Sequence, residues 1–112
     1  MDSWPSELDA LVASPEHHRL LMENSEVRVL ETRIEPGETT ALHTHRWPAA
    51  SYFVSWSHMV RRDEHGAVTF DSREAGVFVE PGQSSWLQAL GPHTLENVGD
   101  KLIQVVSVEI KG

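Results

Sequence analysis

The sequence predicts an all-β fold, either a sandwich or a small barrel. Short stretches with strand-like alternation recur along its 112 residues, and turn-forming pairs such as Pro36-Gly37 and Pro81-Gly82 separate them. The length is that of one domain with a single core. A small barrel closes its own sheet edges and has an interior that can hold one small ligand.

The predicted elements begin with a short N-terminal helix. Its residues are Ser6 to Ala13, where Ser6 can cap the start and Pro15 follows the end. The alternating stretches then predict strands at residues 18–23, 26–35, 39–45, 51–57, 59–63, 67–71, 76–80, 85–87, 93–97 and 102–110. We expect a single domain overall, with an N-terminal arm and helix at residues 1–25 and a barrel at residues 26–112.

The composition excludes several classes of protein. The formal net charge is -8, and the one basic pair, Arg61-Arg62, is followed at once by Asp63-Glu64, so nucleic acid is not an expected partner. The chain has no cysteine, which removes disulfides, thiolate metal sites and thiol nucleophiles. Neither a signal peptide nor an apolar run long enough to cross a membrane is present. We therefore expect a cytoplasmic protein without a membrane partner.

Three histidines carry the most specific prediction. His43 and His45 occupy positions i and i+2 of one predicted strand, so their side chains share a face. His93 lies on a distant strand and can supply a third imidazole. Neutral imidazole is the commonest metal ligand in proteins, so this pattern favours a metal site.

The spacing around these histidines resembles the motifs of the cupin family. Gly37 is followed by five residues and then His43-Thr44-His45, as in the first cupin motif, and Gly82, His93 and Asn97 fall in the spacing of the second. The resemblance covers residues 26–110. It implies a cupin double-stranded β-helix, or jelly-roll, barrel behind a short N-terminal helix. It also implies a homodimer, since single-domain cupins commonly pair and N-terminal strands can cover an open sheet edge.

The sequence departs from the family pattern at the fourth metal ligand. The cupin glutamate would stand at position 49 or 50, and both residues are alanine; Tyr52 resembles a common cupin tyrosine and favours Ala49 as the equivalent site. The resemblance therefore implies three remaining ligands for one divalent transition metal (Fe, Zn, Ni or Mn), namely His43, His45 and His93.

Other residues are assigned to the ligand pocket or to the surface. We expect the pocket to include Ala49, Trp47, Tyr52, Trp86 and Gln88. His17, His18 and His65 are expected at the surface, and His58 at the rim of the barrel. Five glutamates that could replace the missing ligand are outside the motifs and are expected in solvent: Glu31, Glu35, Glu80, Glu96 and Glu109.

Three functions remain open from the sequence. The first is a metal-dependent, dioxygenase-like enzyme acting on a small anionic or enolisable molecule, since cupin dioxygenases that cleave thiols and diketones resemble this chain in using three histidines. Its activity would fall as the histidines protonate, near pH 6.5 for an unperturbed imidazole. The second is a non-catalytic protein that binds or senses a small molecule. The third is a metal-free, isomerase-like cupin with His43 or His93 as base and Tyr52 as acid.

Overall fold

The computed structural model describes residues 4–112 of the chain. Within that range a 3-10 turn at Ser6–Leu8 and two short helices, α1 (Ala10–Ala13) and α2 (Ser72–Ala75), accompany nine strands. The strands are β1 (His18–Glu23), β2 (Val27–Ile34), β3 (His43–His45), β4 (Ala49–Ser55), β5 (Met59–Asp63), β6 (Val68–Asp71), β7 (Ser84–Leu87), β8 (Leu90–Asn97) and β9 (Ile103–Ile110).

The strands form two antiparallel sheets. The order in the larger sheet is β1-β2-β9-β4-β7, and the order in the smaller one is β3-β8-β5-β6. Neighbours in each sheet are mostly distant in sequence, as in a jelly roll, where successive strands alternate between the two layers. The predicted all-β class is confirmed.

The apolar core fills one end of the space between the sheets. Ile34, Phe53, Met59, Ile103 and Val105 pack against each other there. Strand alternation directs these side chains inward, because residues two apart on a strand share a face. At the opposite end of the space between the sheets, the inward-facing side chains include histidines.

The N-terminal helix differs from the prediction in its start and its continuity. The segment divides at Asp9, whose carboxylate accepts a hydrogen bond from the Leu11 backbone N–H (3.1 Å) and caps α1. Asp9, not Ser6, is therefore the capping residue. The expected boundary at residue 25 lies in the turn between β1 and β2, and these two strands are paired along most of their length. The division between arm and barrel stays a prediction.

One predicted strand, at residues 76–80, is absent from the structure. The helix α2 ends immediately before them at Ala75, and its C-cap, Gly76, adopts a left-handed conformation (φ +68°) that favours glycine. β3 is also shorter than predicted, since before His43 the pairing is reduced to an isolated bridge from Thr39 to Glu96. Among the described residues, no helix has the length and apolar character needed to cross a membrane.

Candidate metal centre

Strand pairing brings the three predicted histidines to one place. His43 on β3 is the paired residue of His93 on β8, and their ring centroids lie 4.3 Å apart. The ring of His45 is 4.9 Å from His43 and 5.6 Å from His93. The regular pairing of β3 with β8 is interrupted between His43 and His45.

A fourth imidazole, that of His18, joins this group from the first residue of β1. Its ring lies 4.5 Å from the ring of His43 and 5.3 Å from that of His45. The potential ligand atoms of His18, His43 and His45 all lie within 4.8 Å of one another, a spacing that one metal ion could bridge. The expectation that His18 is a surface residue is wrong: it is 5% exposed. It pairs with Thr32, which lines the same cavity.

Three of the four imidazoles are held by backbone carbonyls close to them in sequence. In each case Nδ1 lies within hydrogen-bond distance of a carbonyl oxygen, so Nδ1–H donates and the lone pair is on Nε2. The bonds are His18 to Ser14 (3.0 Å), His43 to Ala41 (2.8 Å) and His93 to Gly91 (2.7 Å). This tautomer leaves Nε2 as the atom able to coordinate a metal.

The fourth imidazole is held by a carboxylate. Nδ1 of His45 lies 3.2 Å from Oε2 of Glu109 on β9, and the Glu109 side chain is 1% exposed. Its other oxygen accepts a hydrogen bond from Nε of Arg28 at 2.7 Å, and both terminal nitrogens of Arg28 bond the carboxylate of Asp9 at 2.9 Å. The network has two carboxylates for one guanidinium, so it places one excess negative charge behind His45.

Glu109 therefore corrects a second expectation from the sequence, which assigned it to solvent. The alternation along β9 could have predicted that Glu109 faces inward. Ile103, Val105 and Ser107 lie on one face of the strand, and Glu109 is the next residue on that face. His18 gave no comparable pattern, because the remaining residues of β1 are exposed on both faces.

The buried imidazoles are uncharged at neutral pH. Burial lowers the pKa of His18 to about 3, that of His43 to about 2 and that of His93 to about 4, because a buried imidazolium loses its hydration. Repulsion from positive charge on His45 lowers these pKa values further. A metal ion would therefore not have to displace protons from these three side chains at neutral pH.

The histidines open onto a cavity of about 110 Å³ between the sheets. Its wall is largely apolar, with Ile34, Phe53, Leu90 and Leu95 among the lining side chains. The space therefore fits a small ligand with an apolar part.

Three of the expected pocket residues line this cavity: Ala49, Trp47 and Gln88. Trp47 also lies against positive charge, with the Arg28 guanidinium 5.0 Å and the Arg46 guanidinium 4.7 Å from its ring centre. Both cations are therefore placed for cation–π contacts, and the contact with Arg28 joins the cavity wall to the Glu109 network.

Tyr52 and Trp86 lie elsewhere, which corrects their assignment to the pocket. They are 50% and 53% exposed. On β4 the buried residues Ala49 and Ser51 alternate with exposed Ala50 and Tyr52, and Trp86 is the cross-strand partner of Ala50. Both aromatic side chains are therefore on the outer face of the larger sheet, away from the histidines.

The donor set fits a divalent transition metal. Imidazole suits zinc, iron, nickel and copper, and ligating histidines usually donate their second ring N–H to a carbonyl or carboxylate. All four imidazoles of the cluster meet that requirement through Nδ1. Four neutral imidazole ligands would not compensate the charge of a dication. The site would therefore favour an additional, anionic ligand on the metal.

Several solved structures share this fold at low sequence identity. A cupin domain from Bordetella pertussis Tohama I has a TM-score of 0.66 at 23% identity, over 85% of this chain and 92% of that one. An RmlC-like cupin family protein with a double-stranded β-helix fold from Methanocaldococcus jannaschii has a TM-score of 0.58 at 11% identity, over 83% and 77%. No family model and no curated protein matches the sequence.

The polyketide cyclase RemF from Streptomyces resistomycificus is a further neighbour. Its TM-score is 0.53 at 18% identity, over 83% of this chain and 63% of RemF. At these identities the likeness concerns the fold alone. Together with the topology, these neighbours show that the chain is a small domain of cupin fold.

Proposed function

We propose that this chain, a small domain of cupin fold, binds one divalent transition-metal ion through His43, His45, His93 and His18. The observation that supports this most directly is the common state of the four imidazoles, each with Nδ1 bonded to an oxygen and Nε2 left free. A histidine that only packs in the barrel wall can be satisfied by one hydrogen bond through Nδ1. Such a packing role does not require four imidazoles to lie next to one another. The proposed ligands are thus the three predicted histidines and, in addition, His18.

The protein environment is suited to an enzyme of the dioxygenase-like type that acts on a small anionic or enolisable molecule. An ion such as iron supplies redox chemistry or acts as a Lewis acid when bound. The residues of the chain hold the imidazoles in the ligating tautomer and exclude bulk water with an apolar wall, and burial keeps His18, His43 and His93 uncharged. The Glu109 network compensates part of the metal charge and leaves a net attraction for an anion.

A non-catalytic binding protein is the second candidate, and the number of histidines favours it. Four imidazoles can complete a tetrahedral site, and closed four-coordinate sites are structural, whereas catalytic sites keep an open position. The metal-free isomerase is not proposed, because Tyr52, its expected acid, is on the outer face of the sheet. The cytoplasmic location expected from the sequence stays a prediction.

Metal analysis tests the proposal. Purified wild type should carry about one transition-metal ion per chain, and His18→Ala, His43→Ala and His93→Ala should each lose most of it. His65→Ala is the matched control, because the His65 side chain is 81% exposed. Equal and substoichiometric metal in wild type and all variants would overturn the metal site, and retention of metal by His18→Ala alone would restore the three-histidine set.

The coordination number distinguishes the two functions. Cobalt-substituted protein should give weak visible absorption bands if solvent or ligand positions remain open, and intense bands if four imidazoles form a closed tetrahedron. An enzyme of the proposed type should also consume oxygen with iron in the presence of a suitable small acid. A tetrahedral cobalt spectrum without oxygen uptake would favour the binding protein.

A further inference from the structure

One cation of the cavity wall, Arg61, has no anionic partner among residues 4–112. It lines the cavity and is half-buried, and its guanidinium lies 5.5 Å from the centre of the Phe70 ring. No carboxylate of the described chain is within ion-pair distance of it. Burial lowers the pKa of Arg61, as expected for a cation that loses water without gaining a counter-charge, but a guanidinium remains protonated in proteins.

The carboxylates close to Arg61 in the fold are bound to other groups. Asp63 accepts hydrogen bonds from the backbone N–H groups of His65 and Ala67 in the β5–β6 turn. Glu96 pairs with Arg62 at 2.8 Å. Glu109 uses both oxygens in the network behind His45. Arg61 is thus available to an anion that enters the cavity.

Its position relative to the histidines is fixed by strand pairing. Arg61 on β5 pairs with Leu95 on β8, and Asp63 pairs with His93, so Arg61 and His93 are diagonal neighbours. Both line the cavity. Diagonal neighbours on one face of a sheet are about 7–8 Å apart at their backbones, within reach of a long side chain.

We propose that Arg61 binds the carboxylate of a small monocarboxylic acid whose apolar body occupies the cavity beside the histidines. A guanidinium presents a planar fork of donors that matches a carboxylate. The Phe70 ring, whose centre is 5.5 Å from the guanidinium carbon, makes a cation–π contact with the group. This inference rests on the proposed function, because it assigns the ligand class of the same site.

The apolar wall restricts the rest of the ligand. Leu87, Leu90, Leu95 and Met59 line the cavity and offer no charged group to a second polar end. In the metal-free protein, a dicarboxylate would place its other charge against these side chains or against the uncharged histidines, where desolvation of a charge is strongly unfavourable. The small volume further favours an acid with only a few carbon atoms.

Calorimetric titration with butyrate and its neutral analogue butyramide tests the assignment. Both are titrated into the zinc-loaded and the metal-free protein, and the zinc content of each sample is measured. Wild type should bind butyrate more tightly than butyramide in both forms. Arg61→Gln should weaken butyrate binding about tenfold to a hundredfold, the effect of losing hydrogen bonds to a charged group. Arg61→Lys should lie between the two.

Arg62→Gln is the matched control, because Arg62 is the next residue of the same strand and pairs with Glu96. It should leave butyrate binding unchanged. Equal affinity of wild type and Arg61→Gln for butyrate would overturn the proposal, as would equal affinity of wild type for butyrate and butyramide. Loss of zinc by both Arg61 variants would also overturn it, since Arg61 would then act on the metal site.

The metal-free titration separates this inference from the proposed function. If the chain binds no zinc but Arg61→Gln still weakens butyrate binding, the metal site fails and the carboxylate site stands. If zinc binds as proposed and butyrate binding does not depend on Arg61, the carboxylate site fails alone.

Discussion

Ala49 on β4 is paired directly with Glu109 on β9, and both side chains line the cavity beside the histidines. Position 49 is where the cupin resemblance places a metal-binding glutamate. The buried carboxylate of this protein is thus on the neighbouring strand, and its two oxygens are engaged by Arg28 and His45. It accepts a hydrogen bond from Nδ1 of His45, which fixes the tautomer of that imidazole.

Replacing Ala49 by glutamate should make the protein depend on metal for stability. In Ala49→Glu two buried carboxylates would face each other with Cβ atoms about 4.5–5.5 Å apart, so the metal-free variant should unfold at lower urea concentration than wild type. With zinc bound, the added ligand and charge should tighten metal binding and weaken butyrate binding. Urea unfolding with and without zinc, together with metal competition assays, measures both effects.

Ala50→Glu is the control for that experiment. Ala50 is exposed on the same strand and faces away from the cavity, so its replacement should change stability by no more than about 0.5 kcal/mol. An Ala49→Glu protein with wild-type stability without metal and wild-type zinc affinity would contradict the placement of this side chain.

Glu109→Gln should weaken metal binding without removing a metal-ligating atom. A glutamine amide that donates to Nδ1 of His45 would place the imidazole proton on Nε2, the atom proposed to bind the metal. Changes of this kind behind a ligating histidine reduce metal affinity about 10–100-fold. Competition with a chromophoric chelator measures the change, and Glu35→Gln, at a side chain that is 59% exposed, is the control. Unchanged affinity in Glu109→Gln would show that His45 is not a ligand.

Acid should destabilise the metal-free protein in a specific pH range. The folded-state pKa values of His18, His43 and His93 are lowered to about 3, 2 and 4, whereas an unfolded imidazole titrates near 6.5. Below pH 6.5 the unfolded state binds more protons than the folded state, so the free energy of unfolding falls as pH falls toward about 4. Each such imidazole contributes a slope of up to about 1.4 kcal/mol per pH unit.

Urea unfolding in EDTA between pH 7 and pH 4 measures this slope. His18→Asn should reduce it by the contribution of one imidazole, whereas His65→Asn should not. A free energy of unfolding that is independent of pH between 6.5 and 4 would contradict the buried, neutral state of the cluster. The sequence predicted that activity would be lost near pH 6.5, where an unperturbed histidine becomes protonated. Because these pKa values are lower, we now expect the loss of activity at a lower pH.

We expect a homodimer in solution that uses the N-terminal strand. β1 is at the edge of the larger sheet, and Leu20, Leu21 and Met22 on it are each more than 40% exposed. Light scattering should give twice the chain mass of 12.6 kDa. The double replacement Leu20→Lys and Met22→Lys should give a monomer, whereas Val68→Lys, at an exposed residue of β6, should not. A monomeric wild type would contradict this expectation.

The local sequence was sufficient for the strands and for part of the site. Alternation and turn residues predicted most strands of both sheets, because these patterns depend only on neighbouring residues. His43 and His45 were placed on one face for the same reason. Alternation could also have corrected the pocket, since Ala49 and Tyr52 are three residues apart on one strand and therefore face opposite sides.

The tertiary structure decided which distant residues complete the site. His18 reaches the cluster because β1 pairs with β2, which places it beside Thr32, and no pattern within β1 distinguishes its buried residue from the exposed ones. Glu109 on β9 of the larger sheet contacts His45 on β3 of the smaller sheet, across the space between the two sheets. Strand order depends on pairings across most of the chain, whereas spacing along a sequence describes only one strand at a time. The sequence by itself therefore determined the fold class and three histidines. The packing of the two sheets decided the fourth histidine, the carboxylate behind His45 and the position of Arg61, which has no anionic partner within residues 4–112.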